Sequence, residues 1–413
     1  MKELVKNRSF KGLMGIQTIE QIGDSLTLMA LFAWVMAMPG DYTAQNMSIL
    51  IFWVSLPIIL IGPFSGVFID RFKRKTLLLA ATAAKGSFIF FIWRLAGNYD
   101  NIPLLYAFVF MKSFATQFFI PAKSAFVPTI VKDEKKLMIA NSIAATFMVI
   151  TQILTYAAAG ILITRYGVES VILTAAILYM PATVMIMLLK AEETALKTKK
   201  RMPSPKQVLF ELWDGLKFLF KDSKITFVTR RVFVVTVAVT VFYIALTGNY
   251  LKDILENTGM DNEEVEALGF VMAAVGLGLI AGVLMVERLL KKVKDISLIR
   301  TIFPFVGLLV IGLYFFPNFY FLLVCALAGG ASAVMLFGIA ETTVQKNTPV
   351  NMRGRIFASY YVFRNSGPAA ATGIAGFLLL FTGEKEMVFA AGMALVIYGA
   401  VNFMTKNSGK GGK

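Results

Sequence analysis

Twelve apolar runs, each about long enough to cross a bilayer, leave this chain few folds to choose from. They fall at approximately 11–38, 46–68, 75–96, 102–127, 137–163, 168–189, 226–250, 264–286, 297–316, 318–343, 355–381 and 386–405. A helix needs about 20 residues to span the hydrocarbon core. Only helices and closed barrels satisfy their own backbone hydrogen bonds there. Long runs without strict alternation read as helices rather than strands. Composition agrees: 57% of the 413 residues are hydrophobic and mean hydropathy is +0.70, beyond the roughly 45–50% apolar usage of soluble domains. The expected fold class is an all-α membrane protein. The first run is too long and too acidic for a cleaved signal peptide, and it lacks a small-residue cleavage site.

The net charge of +16 invites a nucleic-acid reading, and the placement of the charge removes it. With the N-terminus inside, 33 of the 41 basic residues fall on the inner side, and only Arg94, Arg165, Lys252 and Lys385 fall outside. Basic residues gather on the cytoplasmic face of membrane proteins. Both termini are therefore expected in the cytoplasm, in a multi-pass protein of a bacterial inner membrane. A single cysteine, Cys325, excludes a disulfide within the chain. The absence of histidine removes the usual metal ligand and neutral-pH base, so no metal site is expected. No catalytic constellation is visible, and an enzyme is not expected. Gly276-x-Gly278 sits inside an apolar run, and no Walker motif is present; ATP coupling within the chain is not expected.

The chain divides into two halves of six runs. The expected domains are an N-terminal bundle at 1–189, a cytoplasmic linker with an amphipathic helix at 190–224, and a C-terminal bundle at 225–413. In the linker, Val208 to Phe220 places Leu, Trp and Phe on one face at helical spacing, which suits a helix on the membrane surface. The halves echo each other. The second run ends in Gly62-x-x-x-Gly66-x-x-x-Asp70-Arg71, followed by Arg74. The eighth ends in Gly278-x-x-x-Gly282-x-x-x-x-Glu287-Arg288. Small residues four apart let helix backbones approach closely, and duplicated halves are the build of transporters that bind near the midplane.

Gly66-x-x-x-Asp70-Arg71-x-x-Arg74-Lys75 resembles the loop signature of the major facilitator superfamily. Twelve spans and a long central loop extend the likeness over nearly the whole chain. The resemblance implies twelve transmembrane helices in two pseudo-symmetric six-helix bundles. Gln17-x-x-x-Gln21-x-Gly23-Asp24, Pro121-Ala122-Lys123-Ser124-Ala125-x-x-Pro128 and Arg353-Gly354-Arg355 resemble the drug and macrolide efflux branch, which also includes enterobactin exporters and lysophospholipid transporters. Gly23-Asp24, Lys85 and Pro121-Ala122-Lys123 are most similar to the lysophospholipid members. For Gly66, Asp70, Arg71, Arg74, Glu287 and Arg288, one reading is a positive-inside anchor and the other a cytoplasmic latch.

The run that most resists a bland reading is the first, where Gln17, Glu20, Gln21 and Asp24 interrupt apolar sequence. Glu20 and Asp24 share a helix face about one turn apart. A carboxylate at that depth is costly and marks a functional site by default. Either these acids are satisfied structural groups or they carry the coupling proton. The other intramembrane charges are Lys85, Lys112, Lys123, Arg364 and Glu341. Either they neutralise one another, Arg364 pairing with the acids of the first span or with Glu341, or the bases bind a headgroup. Lys112 and Lys123 lie about three turns apart, near one face.

These observations predict a secondary active transporter of the efflux type that works by alternating access. The proton gradient drives it, no cofactor is needed, and it acts as a monomer on a small amphipathic substrate. The alternative is a lysophospholipid transporter or flippase whose partner is a lysolipid.

Overall fold

The computed structural model describes residues 7–39, 43–69, 72–97, 101–131, 134–189, 204–260, 263–292, 295–349 and 352–408. Among these residues there are helices and no strands. The helices are α1 (Arg8–Met36), α2 (Thr43–Ile69), α3 (Arg74–Ala96), α4 (Ile102–Ile130), α5 (Glu134–Tyr166), α6 (Val168–Leu188) and α7 (Pro205–Lys221). They continue with α8 (Ser223–Ala245), α9 (Leu251–Thr258), α10 (Glu264–Lys292), α11 (Asp295–Phe315), α12 (Phe319–Asn347), α13 (Arg353–Leu378) and α14 (Glu384–Ser408).

Each of the twelve apolar runs coincides with a helix or a helix pair, and α7 is the linker helix. Among the described residues, eight helical stretches are long and apolar enough to cross a membrane. α1, which carries Arg8, Lys11, Glu20 and Asp24, is not one of the eight.

The chain forms two compact units. Unit one comprises Met1–Trp34 and Trp53–Leu212; unit two comprises Val35–Phe52 and Trp213–Lys413. In unit one, Leu13, Ile16, Leu78, Ala122, Phe126 and Ile186 form a core with no exposed surface, drawn from α1, α3, α4 and α6. Trp34, further along α1, is also buried, its indole N–H donating to the Ala96 carbonyl at 2.7 Å. In unit two, Leu219, Ile225, Val232, Leu336, Val344 and Ile356 play the same part. The Asp222 carboxylate caps α8 by accepting from the Lys224 and Ile225 amides, and the Asn318 side chain caps α12. Both satisfy amides that have no partner within their own helix.

The small-residue step of the second half works as its spacing predicts. A Cβ on Gly278 or Gly282 would strike the backbone carbonyl of Leu327 or Ala331, and one on Gly330 would strike that of Val275. α10 and α12 therefore touch backbone to backbone. Gly62 differs, since among the described residues a Cβ there would meet nothing closer than Gln117 Oε1 at 4.0 Å.

The seventh run is longer and less regular than expected. α8 passes into a π-helical segment, Leu246–Tyr250, with a non-helical break at Gly248, and resumes as α9. A side chain at Gly248 would crowd Glu384 and Ala44, so glycine is needed at the break. α9 ends at Gly259, whose φ of +66° gives the left-handed cap that glycine adopts freely. On α7, Leu219 is buried in unit two while Phe210 and Trp213 are exposed.

Candidate functional site

The site is assembled inside unit one from α1, α3, α4 and α6. α1 supplies Gln17, Glu20 and Asp24 from one face, the consequence of spacings of three and four. α3 supplies Thr82 and Lys85, three apart and on one face. Lys85 is fully buried, yet it sits between two carboxylates: its Nζ bonds Glu20 Oε2 and lies 2.7 Å from Asp24 Oδ2. The rings of Phe119 and Tyr179 each lie 5.0 Å from the same ammonium. The aromatic faces add attraction to a desolvated cation.

Every oxygen of the two acids has a donor. Glu20 Oε1 accepts from the Thr82 hydroxyl. Asp24 Oδ1 accepts from Lys112 Nζ at 2.6 Å and from the Tyr179 hydroxyl at 2.9 Å. Two acids and two lysines therefore close a neutral quartet, which is the condition for burying charge at tolerable cost. The quartet is not uniformly sealed: Glu20 and Lys85 are buried, whereas the Asp24 side chain is 27% accessible and that of Lys112 15%.

Two glycines make the room. A Cβ on Gly23 would lie 2.5 Å from the Tyr179 ring, and one on Gly86 would lie 2.7 Å from Tyr179 Cβ. The ring thus occupies a slot between α1 and α3 that only glycine leaves open.

A turn or two away, Lys123 Nζ donates to Gln17 Oε1 at 3.0 Å, and Gln17 Nε2 donates to the Ala144 carbonyl at 2.7 Å. Among the described residues no carboxylate lies within ion-pair distance of Lys123. Gln21 faces its own helix, donating to Ser25 Oγ at 3.2 Å. The two lysines of α4 therefore meet two polar positions of α1 in antiparallel order, Lys112 at Asp24 and Lys123 at Gln17.

In unit two, Arg364 Nη1 lies 2.7 Å from Glu341 Oε1, so Arg364 finds its carboxylate on α12. Its guanidinium is 5.1 Å from the Tyr361 ring and 5.6 Å from that of Phe337. Of the seven intramembrane charges, all but Lys123 are thus in ion pairs. Of the residues read as a latch, Asp70 and Arg71 lie outside the described residues, as does the side chain of Glu287, while Gly66 falls within α2. Arg74 opens α3 and Arg288 is exposed near the end of α10.

Sequence reasoning missed Tyr179 and Thr82. Thr82 carries no spacing signal, since many helical threonines in this protein bond their own backbone, as Thr116 and Thr174 do. The signal for Tyr179 was the glycine pair, Gly23 beside Asp24 and Gly86 beside Lys85.

A family model described as Major Facilitator Superfamily matches residues 13–372. The chain belongs to the major facilitator superfamily. It is 23% identical over 428 residues to an uncharacterized MFS-type transporter, YfiS, of Bacillus subtilis (strain 168), a match covering 98% of this chain and 95% of that protein. Among solved structures, the nucleoside transporter NupG is similar in fold. A point mutant of it superposes with a TM-score of 0.79 at 10% identity, covering 96% of this chain and 99% of its own. A second NupG structure gives 0.76 at 10% identity, covering 98% and 100%. At that identity the likeness is one of fold. This major facilitator protein is thus an all-α, multi-pass membrane protein of transporter type, with five of its seven intramembrane charges on the first, third and fourth helices of unit one.

Proposed function

We propose that the chain is a proton-coupled secondary transporter that exports amphipathic or lipophilic small molecules by alternating access. One observation carries this reading: a buried, neutral quartet of two carboxylates and two ammoniums that is accessible at one corner, Asp24 and Lys112. A proton arriving at that corner meets Asp24 first. Neutralising Asp24 removes the counter-ion of Lys112 and leaves Lys85 to Glu20 alone. Glu20 is then the fixed anion and Asp24 the exchanging one. The change in pairing gives the two protonation states different preferred conformations, which is the requirement for coupling. A substrate supplying an anionic or polar group to the released Lys112 would compete with the proton. No cofactor is needed, since the gradient supplies the work.

The test is Asp24→Asn in reconstituted vesicles. Efflux driven by a pH gradient should fall to background while the protein remains folded. Efflux at the original rate with the gradient still required would overturn the proton role of Asp24.

A second reading is favoured by Lys123, the one intramembrane cation held by an amide rather than an acid. It leaves the site with one uncompensated positive charge, which suits a zwitterionic or anionic headgroup and hence a lysophospholipid. In that case Lys123→Ala should abolish lysolipid uptake without any gradient. Undiminished uptake in that variant would remove this reading.

A further inference from the structure

Unit one carries a groove of about 580 Å³ on its outer surface, between α3 and α6. Ala83, Gly86, Phe90 and Phe91 line one wall; Met180 and Val184 stand on the other, and Tyr179 forms part of the floor. The rim is open to the surroundings, with Phe91 47%, Met180 65% and Val184 52% exposed.

Three observations identify what fills it. The first is depth. On α6 the groove runs from Leu173 to Val184, about 16 Å of helix rise. It stops four or more residues, at least about 6 Å, short of both ends of that helix. On a membrane-crossing helix this is hydrocarbon depth, away from headgroups. The second is chemistry. The groove has two hydroxyls besides Tyr179, and both are spent on their own helices: Ser87 Oγ donates to the Ala83 carbonyl and Thr183 Oγ1 to the Tyr179 carbonyl. The Tyr179 hydroxyl is turned away to Asp24. No hydroxyl proton is left to bond a headgroup phosphate, and the other groove residues are apolar. The third is extent: about 16 Å matches one leaflet of a core about 30 Å thick, the depth an acyl chain occupies.

We propose that this groove is a binding site for one acyl chain of a bilayer diacyl phospholipid, recognised by shape and without regard to headgroup. The chain would lie against the Tyr179 ring whose hydroxyl holds Asp24, so bilayer lipid and charge quartet share one wall. The site stands apart from the transport reading, because it needs no substrate and no gradient.

The experiment uses the full chain in phosphatidylethanolamine and phosphatidylglycerol vesicles with a trace of a phospholipid bearing a photoactivatable diazirine on its acyl chain. Labelled residues are mapped by peptide mass spectrometry, with each headgroup in turn. Labelling at Phe90, Phe91, Met180 and Val184 should exceed that at the exposed α5 residues Phe147 and Leu154 about tenfold, the ratio that about 1.4 kcal/mol of preference gives. It should be the same for both headgroups. Ala83→Phe, at an exposed position that leaves the core untouched, should bring groove labelling down to the α5 level; Ser87→Leu is the second filling variant. Equal labelling of the two faces, indifference to both filling variants, dependence on headgroup, or loss of labelling as protein concentration rises would each overturn the proposal. The last would mark a contact with a second copy.

Discussion

Lys85 is the residue on which unit one is most exposed to damage. It is fully buried and holds Glu20, itself buried, together with Asp24. Lys85→Met would leave the Glu20 carboxylate inside the helix bundle with the Thr82 hydroxyl but no cation. Breaking one side of a buried pair costs about 3–5 kcal/mol, whereas removing both charges is often nearly neutral. The single variant should therefore melt far below the parent in detergent. Glu20→Gln in the same chain should recover more than half of the loss. Additive losses in the double variant would show that the two groups are not coupled. Tyr179→Phe is milder: it removes one donor to a carboxylate that keeps two others, and about 1.5–3 kcal/mol is the usual range for a bond to a charged group. The quartet was largely legible beforehand. Acids at Glu20 and Asp24 and lysines at Lys85 and Lys112 stand out in apolar runs because each must find a partner. What the sequence leaves open is the pairing. Lys112 reaches Asp24, Lys85 reaches both acids, and Arg364 bonds Glu341, and that choice depends on which helices adjoin and in what register.

At the scale of the helix, the repeated small-residue steps look alike in sequence and differ in space. Gly278 and Gly282 hold α10 against α12, where any Cβ strikes backbone; among the described residues a Cβ on Gly62 would meet only Gln117 Oε1, at 4.0 Å. Gly282→Val should therefore cost at least the about 1–3 kcal/mol of an overpacked core. Gly62→Ala should be neutral or slightly stabilising, since alanine is favoured over glycine inside helices by about 0.5–1 kcal/mol. Thermal unfolding of the two variants checks the contrast, and an equal loss in both would contradict the packing described. The break at Gly248 was not legible for a related reason. A glycine in an apolar run is compatible with a straight membrane helix. The crowding by Glu384 and Ala44, far away in sequence, is what requires glycine at the break. Helix existence follows from hydropathy, which is local; helix irregularity follows from neighbours, which are not.

For the whole molecule, the widest sequence signal is the charge asymmetry, with 33 basic residues on one side and four on the other. That ratio predicts an orientation, and orientation decides from which side a proton reaches Asp24. Four positions suit a labelling test because each is exposed and lies outside the charge quartet: Arg165 and Lys252 on the sparse side, Lys206 and Lys346 on the basic side. The native thiol, Cys325, is buried and bonded to the Leu309 carbonyl at 3.5 Å. Cys325→Ala therefore gives a quiet background for single-cysteine variants at the four sites. A maleimide that cannot cross membranes, applied to intact cells, should label Arg165→Cys and Lys252→Cys. It should reach Lys206→Cys and Lys346→Cys only in inverted vesicles or after permeabilisation. The reverse pattern would invert the protein. A mixed one, with Arg165 and Lys252 on opposite sides, would break the even count of two spans, the sixth and the seventh, that separates them. Because the rule acts on the sum of many loops, moving one or two charges should leave the pattern unchanged. Only a change that shifts several lysines or arginines of one half should turn that half over.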